Sequence, residues 1–553
     1  METVIGKVIA TEKMPSTIDS FYFWTNTDLV LNPFDVIKVE HIKDSVSYAV
    51  VEEISHITDS ASFLSNYISS DFGDINSSSY THRVGMNYIQ AKVIGNTKNV
   101  YVPLHNDSKV CIANKKEISE ALGLLNVESP VCCGYLDMYQ GMDNIETVRI
   151  PVNMDSRFLI GPEGAHLNIS GISGLAAKTS YAMFLLKALQ DKMLQEEIND
   201  NDTAFIIFNV KGKDLLSVDQ PNEFKDDKTR EETFSLYKEM GLNTNPFKNV
   251  QYLYPYSDSH QWNTHADEKL IKKQQAEHKA IYYKFNYQEN KDNLDIMFSS
   301  IDDPTQSIDA ILNYISTNQS FKGTNSWGDF LIQIDSKSQA GGNGDKDITV
   351  ASWRKFKRIV TKSIKDVRIF SSVKDEKKEV ELQDKIKEIK KNDVYVIDIA
   401  KLNENMQAFV FGSAIRYIYD LQLGTEDVEN APSKIIIFID ELNKYASTDV
   451  PKSSTILRQL LDIAERGRSL GIILFGAEQF KSAIHQRVIG NCSAHAYGRT
   501  NAIEISKSEY KFIPQVYKNM MTRLKQGEYI VHNPAFRSLI NIKFPLPLYK
   551  QFK

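Results

Sequence analysis

The chain has 553 residues, room for roughly two to four domains at about 150 residues each. Hydrophobic content of 42% and charged content of 25% exclude a disordered or fibrous chain. A formal net charge of -6 excludes a surface coated in nucleic-acid-binding charge, so any DNA contact requires a local basic stripe or a pore built by oligomerisation.

The N-terminus, Met1-Glu-Thr-Val-Ile-Gly, has no basic stretch leading into an apolar one. Runs such as Ala204-Phe-Ile-Ile-Phe208 fall far short of the ~20 apolar residues of a spanning helix. Cys111, Cys132, Cys133 and Cys492 are too few and too scattered for a disulfide framework, and the adjacent pair lacks zinc-ligand spacing. The expectation is a soluble, cytoplasmic protein without membrane contact.

Residues 1–105 alternate short β-rich runs with turn residues: Thr3 to Ala10, Phe21 to Trp24, Leu29 to Leu31, Val36 to Val39, Tyr48 to Val51, Ala91 to Gly95 and Val100 to Pro103. Many short strands at close spacing predict a small β-barrel. Residues 106–165, with a helical-looking Lys115 to Leu124 and further strand-like pieces, read as a linker into the next domain.

From His166 the pattern changes to strands alternating with amphipathic helices, the signature of a parallel sheet. Its strands are the residues around Leu167, Ala204 to Val210, Val394 to Ile399, Lys434 to Asp440 and Gly471 to Gly476. The α/β core is therefore expected over 166–221 and 389–535, interrupted by a helical insertion at 222–388. Within the insertion Leu382, Ile386 and Ile389 fall on one helical face, and Gln339-Ala-Gly-Gly-Asn-Gly344 reads as a flexible loop.

The first unit of this core carries the first chemical motif. His166-Leu-Asn-Ile-Ser-Gly171-Ile-Ser173-Gly174-Leu-Ala-Ala177-Lys178-Thr179-Ser180 reads as strand, glycine turn, Lys-Thr and then a helix beginning Tyr-Ala-Met-Phe. A P-loop needs glycines so that backbone N–H groups can face the phosphates, a Lys for the β/γ oxygens, and a Ser/Thr hydroxyl for Mg²⁺. The helix adds its positive N-terminal dipole to the same anion. The spacing departs from the usual form: Gly171 lies seven positions before Lys178 rather than six, and Ala177 stands where a Gly is common. Ala at positive φ costs about 1–2 kcal/mol. The alternative is a glycine turn that only packs a helix on its strand.

Within the insertion the densest basic segment is Trp353-Arg-Lys-Phe-Lys-Arg358, continuing through Lys362, Lys365 and Arg368. It is either a DNA-facing stripe, multiplied around a ring, or a solvated face covering Ile359, Ile364 and Val367. The run Lys374 to Lys391 mixes both signs and reads as a surface helix. His260, His265 and His278, near Asp258 and Asp267, fit no metal-ligand spacing.

The second motif is Lys434-Ile-Ile-Ile-Phe-Ile-Asp440-Glu441, an apolar β-forming run ending in two carboxylates. It predicts a buried parallel strand delivering acids to its C-terminal edge, where nucleotide chemistry sits in open α/β sheets. Asp440 would hold Mg²⁺ and Glu441 would polarise the attacking water. Together the two motifs predict an ATP site. Cys492 reads as a core residue, without features of an activated thiolate.

Further motifs make a likeness specific: Asp440-Glu-Leu-Asn-Lys-Tyr-Ala446, Ala464-Glu-Arg466-Gly467-Arg468-Ser-Leu-Gly471 running into Ile-Ile-Leu-Phe-Gly-Ala-Glu-Gln479, Gly490-Asn-Cys-Ser, Leu524-Lys-Gln-Gly527-Glu528-Tyr-Ile-Val, and Phe544-Pro-Leu-Pro547. In this order they resemble the motifs of HerA-like ATPases of the HerA/FtsK class of hexameric DNA translocases. The resemblance implies a RecA-like P-loop ATPase core, an N-terminal barrel, an inserted helical bundle and a C-terminal segment, 536–553, that braces a neighbouring subunit. It places on Arg468, with Arg466 as the other candidate, the role of an arginine presented to the adjacent subunit's ATP. Gln479 matches the family's polar sensor, and His166 matches a family position that a structural histidine would fill equally well. It also implies ATP and Mg²⁺ as ligands, a homo-hexamer and duplex DNA. Divergent members occur in bacterial antiviral operons beside a separate effector, either a nuclease or a sirtuin-type NAD-degrading enzyme. The second expectation, a nucleotide-binding scaffold with weak hydrolysis that regulates a toxic effector, follows from the irregular glycine loop.

Overall fold

The computed structural model describes residues 3–69, 72, 84–172, 174, 177–195, 202–258, 263–299, 301, 303, 306–339, 348–364, 368–424 and 431–552. Two units divide the chain, one of residues 1–155, 510–524 and 528–544, the other of residues 156–509, 525–527 and 545–553.

In the first unit, alternating apolar residues close a six-stranded antiparallel barrel. Its strands are β1 (Val4–Ile9), β2 (Ser20–Thr25), β3 (Val36–His41), β4 (Ser45–Thr58), β5 (Gly85–Asn96) and β6 (Lys109–Ile112), in the order β1-β2-β5-β4-β3-β6. Phe21 and Phe23 on β2 and Ile37 and Val39 on β3 are fully buried, as the inward positions of a small barrel must be. The closing strand β6 lies beyond the boundary expected at 105, and Leu29–Leu31 and Val100–Pro103 are not strands. Val30, Tyr101 and Val102 are exposed and only Leu31 of the first run is buried, so those apolar runs lack the consistent burial that stabilises a strand. Nor is the segment 106–165 a linker. It holds β6, the helix Lys115–Leu122 with an Asn114/Glu117 capping box, and an antiparallel pair, β7 (Pro130–Met138) and β8 (Val148–Asp155). In the same unit β7 pairs with β19 (Ile540–Lys543), which pairs with β18 (Glu528–His532).

The second unit is built on strands that all run parallel: β9 (Leu167–Ser170), β10 (Thr203–Asn209), β11 (Val250–Pro255), β12 (Ala280–Lys284), β13 (Glu379–Glu381), β14 (Val394–Asp398), β15 (Lys434–Asp440), β16 (Ile472–Glu478) and β17 (Ala494–Tyr497). Their order is β13-β12-β11-β14-β10-β15-β16-β9-β17. Both faces are covered, which is why β10, β14 and β16 are buried along their whole length and read as continuous apolar runs. Ile435, Ile437 and Ile439 of β15 join a core with the helices Glu404–Gln422 and Thr455–Leu470, while the helix Lys178–Gln195 packs on β9, β15 and β16.

The stretch 222–388 is not purely helical. It contributes β11, β12 and β13, which extend the sheet, before and after the helices Ser307–Thr317, Trp327–Ser338 and Val350–Ile364. Those helices share an aromatic cluster in which Trp353 and Phe356 are fully buried. Part of the run Lys374 to Lys391, expected as a surface helix, is the strand β13, and the Glu379 carboxylate accepts from Lys284 at 2.7 Å with both side chains buried. Leu382, Ile386 and Ile389 are buried together, as their spacing predicts. Most of the loop Gln339–Gly344 and residues His260, Lys365 and Val367 lie outside the described residues.

The C-terminal segment 536–553 is not a free arm here. Part of it is β19, and its last residues dock on their own chain: Asn222 N–H donates to Leu548 O at 2.8 Å, Lys550 N–H to Gln220 O at 2.9 Å, and Tyr549 is buried. No described helix is long and apolar enough to cross a membrane.

Candidate nucleotide site

The order of the strands decides which side chains meet. β9, which leads into the glycine turn, and β15, which carries the acids, are separated by β16 alone, and their C-terminal ends lie on the same edge. Asp440 is opposite Ala477, and Glu478 is opposite Ser170. Gly171 N–H donates to Glu478 O at 3.2 Å and Ile172 N–H to Arg499 O at 2.8 Å, which ties the start of the turn to both neighbouring strands.

The turn has the positive φ that glycine tolerates, 154° at Gly171 and 78° at Gly174. Space around Gly174 is open, so conformation rather than crowding reserves that position. Ala177 also takes a positive φ, 49°, the strained value anticipated for an alanine there. Its carbonyl accepts from Tyr181 N–H at 3.0 Å and so starts the helix. Ser173 lies outside the described residues.

At the head of the helix Lys178 is buried, and its Nζ donates to Gly171 O at 2.9 Å. Burial pushes this ammonium below its ordinary pKa, against the pull of Asp440. The Thr179 hydroxyl donates to Asp440 Oδ2 at 3.0 Å. Ser180 turns elsewhere and meets the Tyr549 hydroxyl of the C-terminal segment.

Every oxygen of the acid pair has a partner. Asp440 Oδ1 accepts the Glu441 N–H at 2.9 Å. Lys211 Nζ lies 2.7 Å from Glu441 Oε1 and 3.6 Å from Asp440 Oδ2, and Lys444 Nζ lies 2.6 Å from Glu441 Oε2. Burial raises the Glu441 carboxyl, but the two ammoniums prevail and hold it below its usual range. Glu441 itself sits at φ 62°, a conformation that is sparse for non-glycine residues and typical of strained functional positions.

Neither lysine was anticipated from the sequence. Lys211 follows the strand-like run Ala204 to Val210 and belongs to no motif, and Lys444, though inside the motif Asp440 to Ala446, has no role that the motif assigns. A buried cluster behind the turn was missed as well. Glu478 is fully buried, with its carboxyl raised by burial. Asn168 Nδ2 donates to Glu478 Oε1 at 2.5 Å, and Lys481, pushed down to about 8 by burial, donates to the Tyr497 hydroxyl at 2.8 Å.

Gln479 follows β16 and leaves the sheet between the acid strand and the glycine turn, half-buried. Arg466 and Arg468 stand at the opposite edge, near the end of the helix Thr455–Leu470 that precedes β16. A seven-residue strand separates them from the acids, about 23 Å at 3.3 Å per residue, so neither serves this chain's own site. Arg466 is held by both oxygens of Asp462, at 2.6 and 2.7 Å, and by the Tyr419 hydroxyl. Arg468 Nη1 donates to Glu163 O at 3.0 Å. His166 is buried at φ 69°, its Nδ1 accepting Leu474 N–H at 2.9 Å, a structural position away from the acids.

No protein-family profile and no curated protein sequence matches the chain. Solved structures similar to it include the bacterial conjugative coupling protein TrwB without its first 70 residues, at 11% identity and a TM-score of 0.43, covering 73% of this chain and 89% of that one. VirB4 of Thermoanaerobacter pseudethanolicus matches at 11% identity and 0.40, covering 76% and 97%. The genome packaging NTPase B204 of Sulfolobus turreted icosahedral virus 2, in complex with ATP-gammaS, matches at 16% and 0.22, covering 30% and 73%. Likeness at these scores and identities assigns no function to the chain.

Elsewhere on the molecule, several cations of the helix Val350–Ile364 are already paired. Lys355 meets Asp303 at 3.1 Å, Lys357 meets Asp335, and Arg354 Nε donates to Ser338 O at 3.0 Å, while Arg358 and Lys362 are exposed. Arg368 meets Asp258, and Lys213 meets Asp267. No group of three potential metal ligands occurs among the described residues. The four cysteines are free thiols, all buried.

Proposed function

We propose that this chain is an ATP hydrolase with a RecA-like core that assembles as a HerA-like ring. The observation that carries the reading is the meeting of two distant motifs, with the Thr179 hydroxyl 3.0 Å from Asp440 Oδ2 and Lys178 and Glu441 on the same strand edge. Lys178 would exchange its bond to Gly171 O for the β/γ-phosphate oxygens, aided by the N-terminal dipole of its helix. Thr179 and Asp440 are hard oxygen donors beside each other, a pair suited to Mg²⁺, which when bound would neutralise charge on the phosphates. Glu441, freed from one lysine, would orient the attacking water and take its proton. Gln479 would hydrogen-bond the γ-phosphate or that water. Arg468 would act in a neighbouring subunit's site, with Arg466 as the other candidate, because the opposite edge of the sheet is the place from which an arginine could reach the next copy.

In this reading the protein is a cytoplasmic homo-hexamer that couples hydrolysis to movement on duplex DNA. It feeds or activates a separate effector, a nuclease or a sirtuin-type NAD-degrading enzyme, in antiviral defence. The test is phosphate release from ATP with and without duplex DNA: DNA-stimulated turnover supports the motor, and no turnover in either condition by an assembled ring rejects it.

A second reading has its own observation. Ala177 at φ 49°, Lys178 committed to Gly171 O and Glu441 held by two lysines favour a slow enzyme, one that binds nucleotide and serves as a scaffold regulating its effector. Tight ATP binding with turnover unaffected by DNA would select it.

A further inference from the structure

We propose that Lys211 is a built-in cation of the acid pair, one that a divalent metal must displace and that then moves to the phosphates. The proposal rests on the acid pair being the metal site of the function proposed above, and deepens it by assigning a residue that no motif points to.

Lys211 bridges the two carboxylates, 2.7 Å from Glu441 and 3.6 Å from Asp440. Asp440 Oδ2, the oxygen it faces, is the one that also receives the Thr179 hydroxyl. The ammonium therefore borders on the pair of hard oxygens best suited to magnesium. A monovalent and a divalent cation cannot share that spot without strong repulsion.

The surrounding charges reinforce this. Lys178, Lys211 and Lys444 stand among Asp440, Glu441, Asp214 and the buried Glu478, a mixed cluster in which Lys211 is the cation shared by both members of the acid pair. A metal ion arriving on the acids makes Lys211 surplus there, whereas the triphosphate that accompanies it creates a deficit of positive charge a few ångströms away.

Lys211 is also built to move. Its base is fixed, because Asn209 Nδ2 donates to Gly212 O at 3.0 Å. Its side chain is 41% exposed on a flexible four-carbon stem with a rotatable ammonium. Gly212, at φ 49°, leaves open space beside it. Lys178 lacks this freedom, being buried under the turn, and Lys444, though similarly exposed, meets only the far oxygen of Glu441 and not Asp440.

The test uses the full chain with no nucleotide added and Mn²⁺ as the probe, titrated by electron paramagnetic resonance. Lys211→Met keeps the stem and removes the charge, and it should tighten Mn²⁺ binding about tenfold or more. Lys211→Arg, which keeps the charge, should leave Mn²⁺ affinity near wild type, and Asp440→Asn should abolish the binding that Lys211→Met enhances. Unchanged or weaker Mn²⁺ binding in Lys211→Met, an equal rise in Lys211→Arg, or no Mn²⁺ binding in any variant overturns the proposal. A fluorescent ATP analogue titrated in EDTA separates this from the nucleotide reading. Bound analogue with unchanged Mn²⁺ affinity sinks the lysine's role alone, whereas a Mn²⁺ rise without nucleotide binding sinks the ATP site alone.

Discussion

At the carboxyl edge of the parallel sheet, Lys211, Lys444, Asp440 and Glu441 satisfy one another across two distant chain segments, with Lys178 of a third beside them on Gly171 O, while at the amino edge Arg466 is held by a carboxylate one helical turn away and Arg468 by a nearby carbonyl. The first arrangement is made by strand ends that topology delivers to one place. It can be reorganised by a polyanion and a metal because the ion pairs of Lys211 and Lys444 with the acids are exchangeable charges. The second is a surface arrangement on an exposed helix end, screened by water and readily traded for another acceptor. One edge thus gathers its charges within the chain, and the other carries its two arginines on exposed side chains.

The sharpest way to break this comparison is at the carboxyl edge. Lys178→Ala should lower ATP turnover by about 10³-fold or more, and Glu441→Gln by about 10²–10³-fold with nucleotide binding retained, both read as phosphate release. If either variant turns over ATP at the wild-type rate, that edge is not the site. Next comes the amino edge. Arg468→Ala should cost about 10²-fold or more, Arg466→Ala less than about threefold, and rings mixed from Glu441→Gln and Arg468→Ala subunits should recover part of the activity. A larger loss at Arg466 than at Arg468 reverses the assignment.

Smaller effects come from buried titrations at the two edges. Burial pushes His166, at the amino side, down to about 4. Its folded pKa lies below the unfolded value near 6.5, so its contribution is complete above pH 6.5 and is lost as pH falls toward 4. Lys481, near the carboxyl edge, is pushed down to about 8; between pH 8 and about 10.5 the unfolded chain holds the extra proton, so stability rises with pH across that window. Melting temperature followed against pH should show both limbs, with the acid limb flattened in His166→Gln and the alkaline limb in Lys481→Met. The smallest expected change is in the turn itself. Ala177→Gly relieves about 1–2 kcal/mol of left-handed strain against about 0.5–1 kcal/mol of added chain entropy, so it should raise thermal stability slightly; a clear loss would mean that the alanine side chain packs where strain was inferred.

Legibility followed the kind of signal each element carries. β15 was readable because its apolar run is continuous, and the turn at Gly171–Thr179 because its residue types are dictated by phosphate chemistry. β11, β12 and β13 were hidden in a polar, Tyr-rich stretch, since Tyr252, Tyr254 and Tyr283 are buried through hydrogen-bonded hydroxyls that no hydropathy pattern reports. The closing barrel strand β6 is four residues long, too short for its alternation to stand out. The last residues of the C-terminal segment pair with residues near 220 of the same chain, a contact that no local pattern announces.

What the amino-acid order determined alone is local: an apolar run that must become a buried strand ending in Asp440 and Glu441, and a glycine turn that must present Lys178 and Thr179 at the head of a helix. Tertiary structure alone decided that one strand separates them, that Lys211 and Lys444 close on Glu441, and that the arginines face away. Backbone periodicity depends on neighbours within a few residues. Charge pairing depends on which strand ends lie side by side, and only the assembled sheet sets that order.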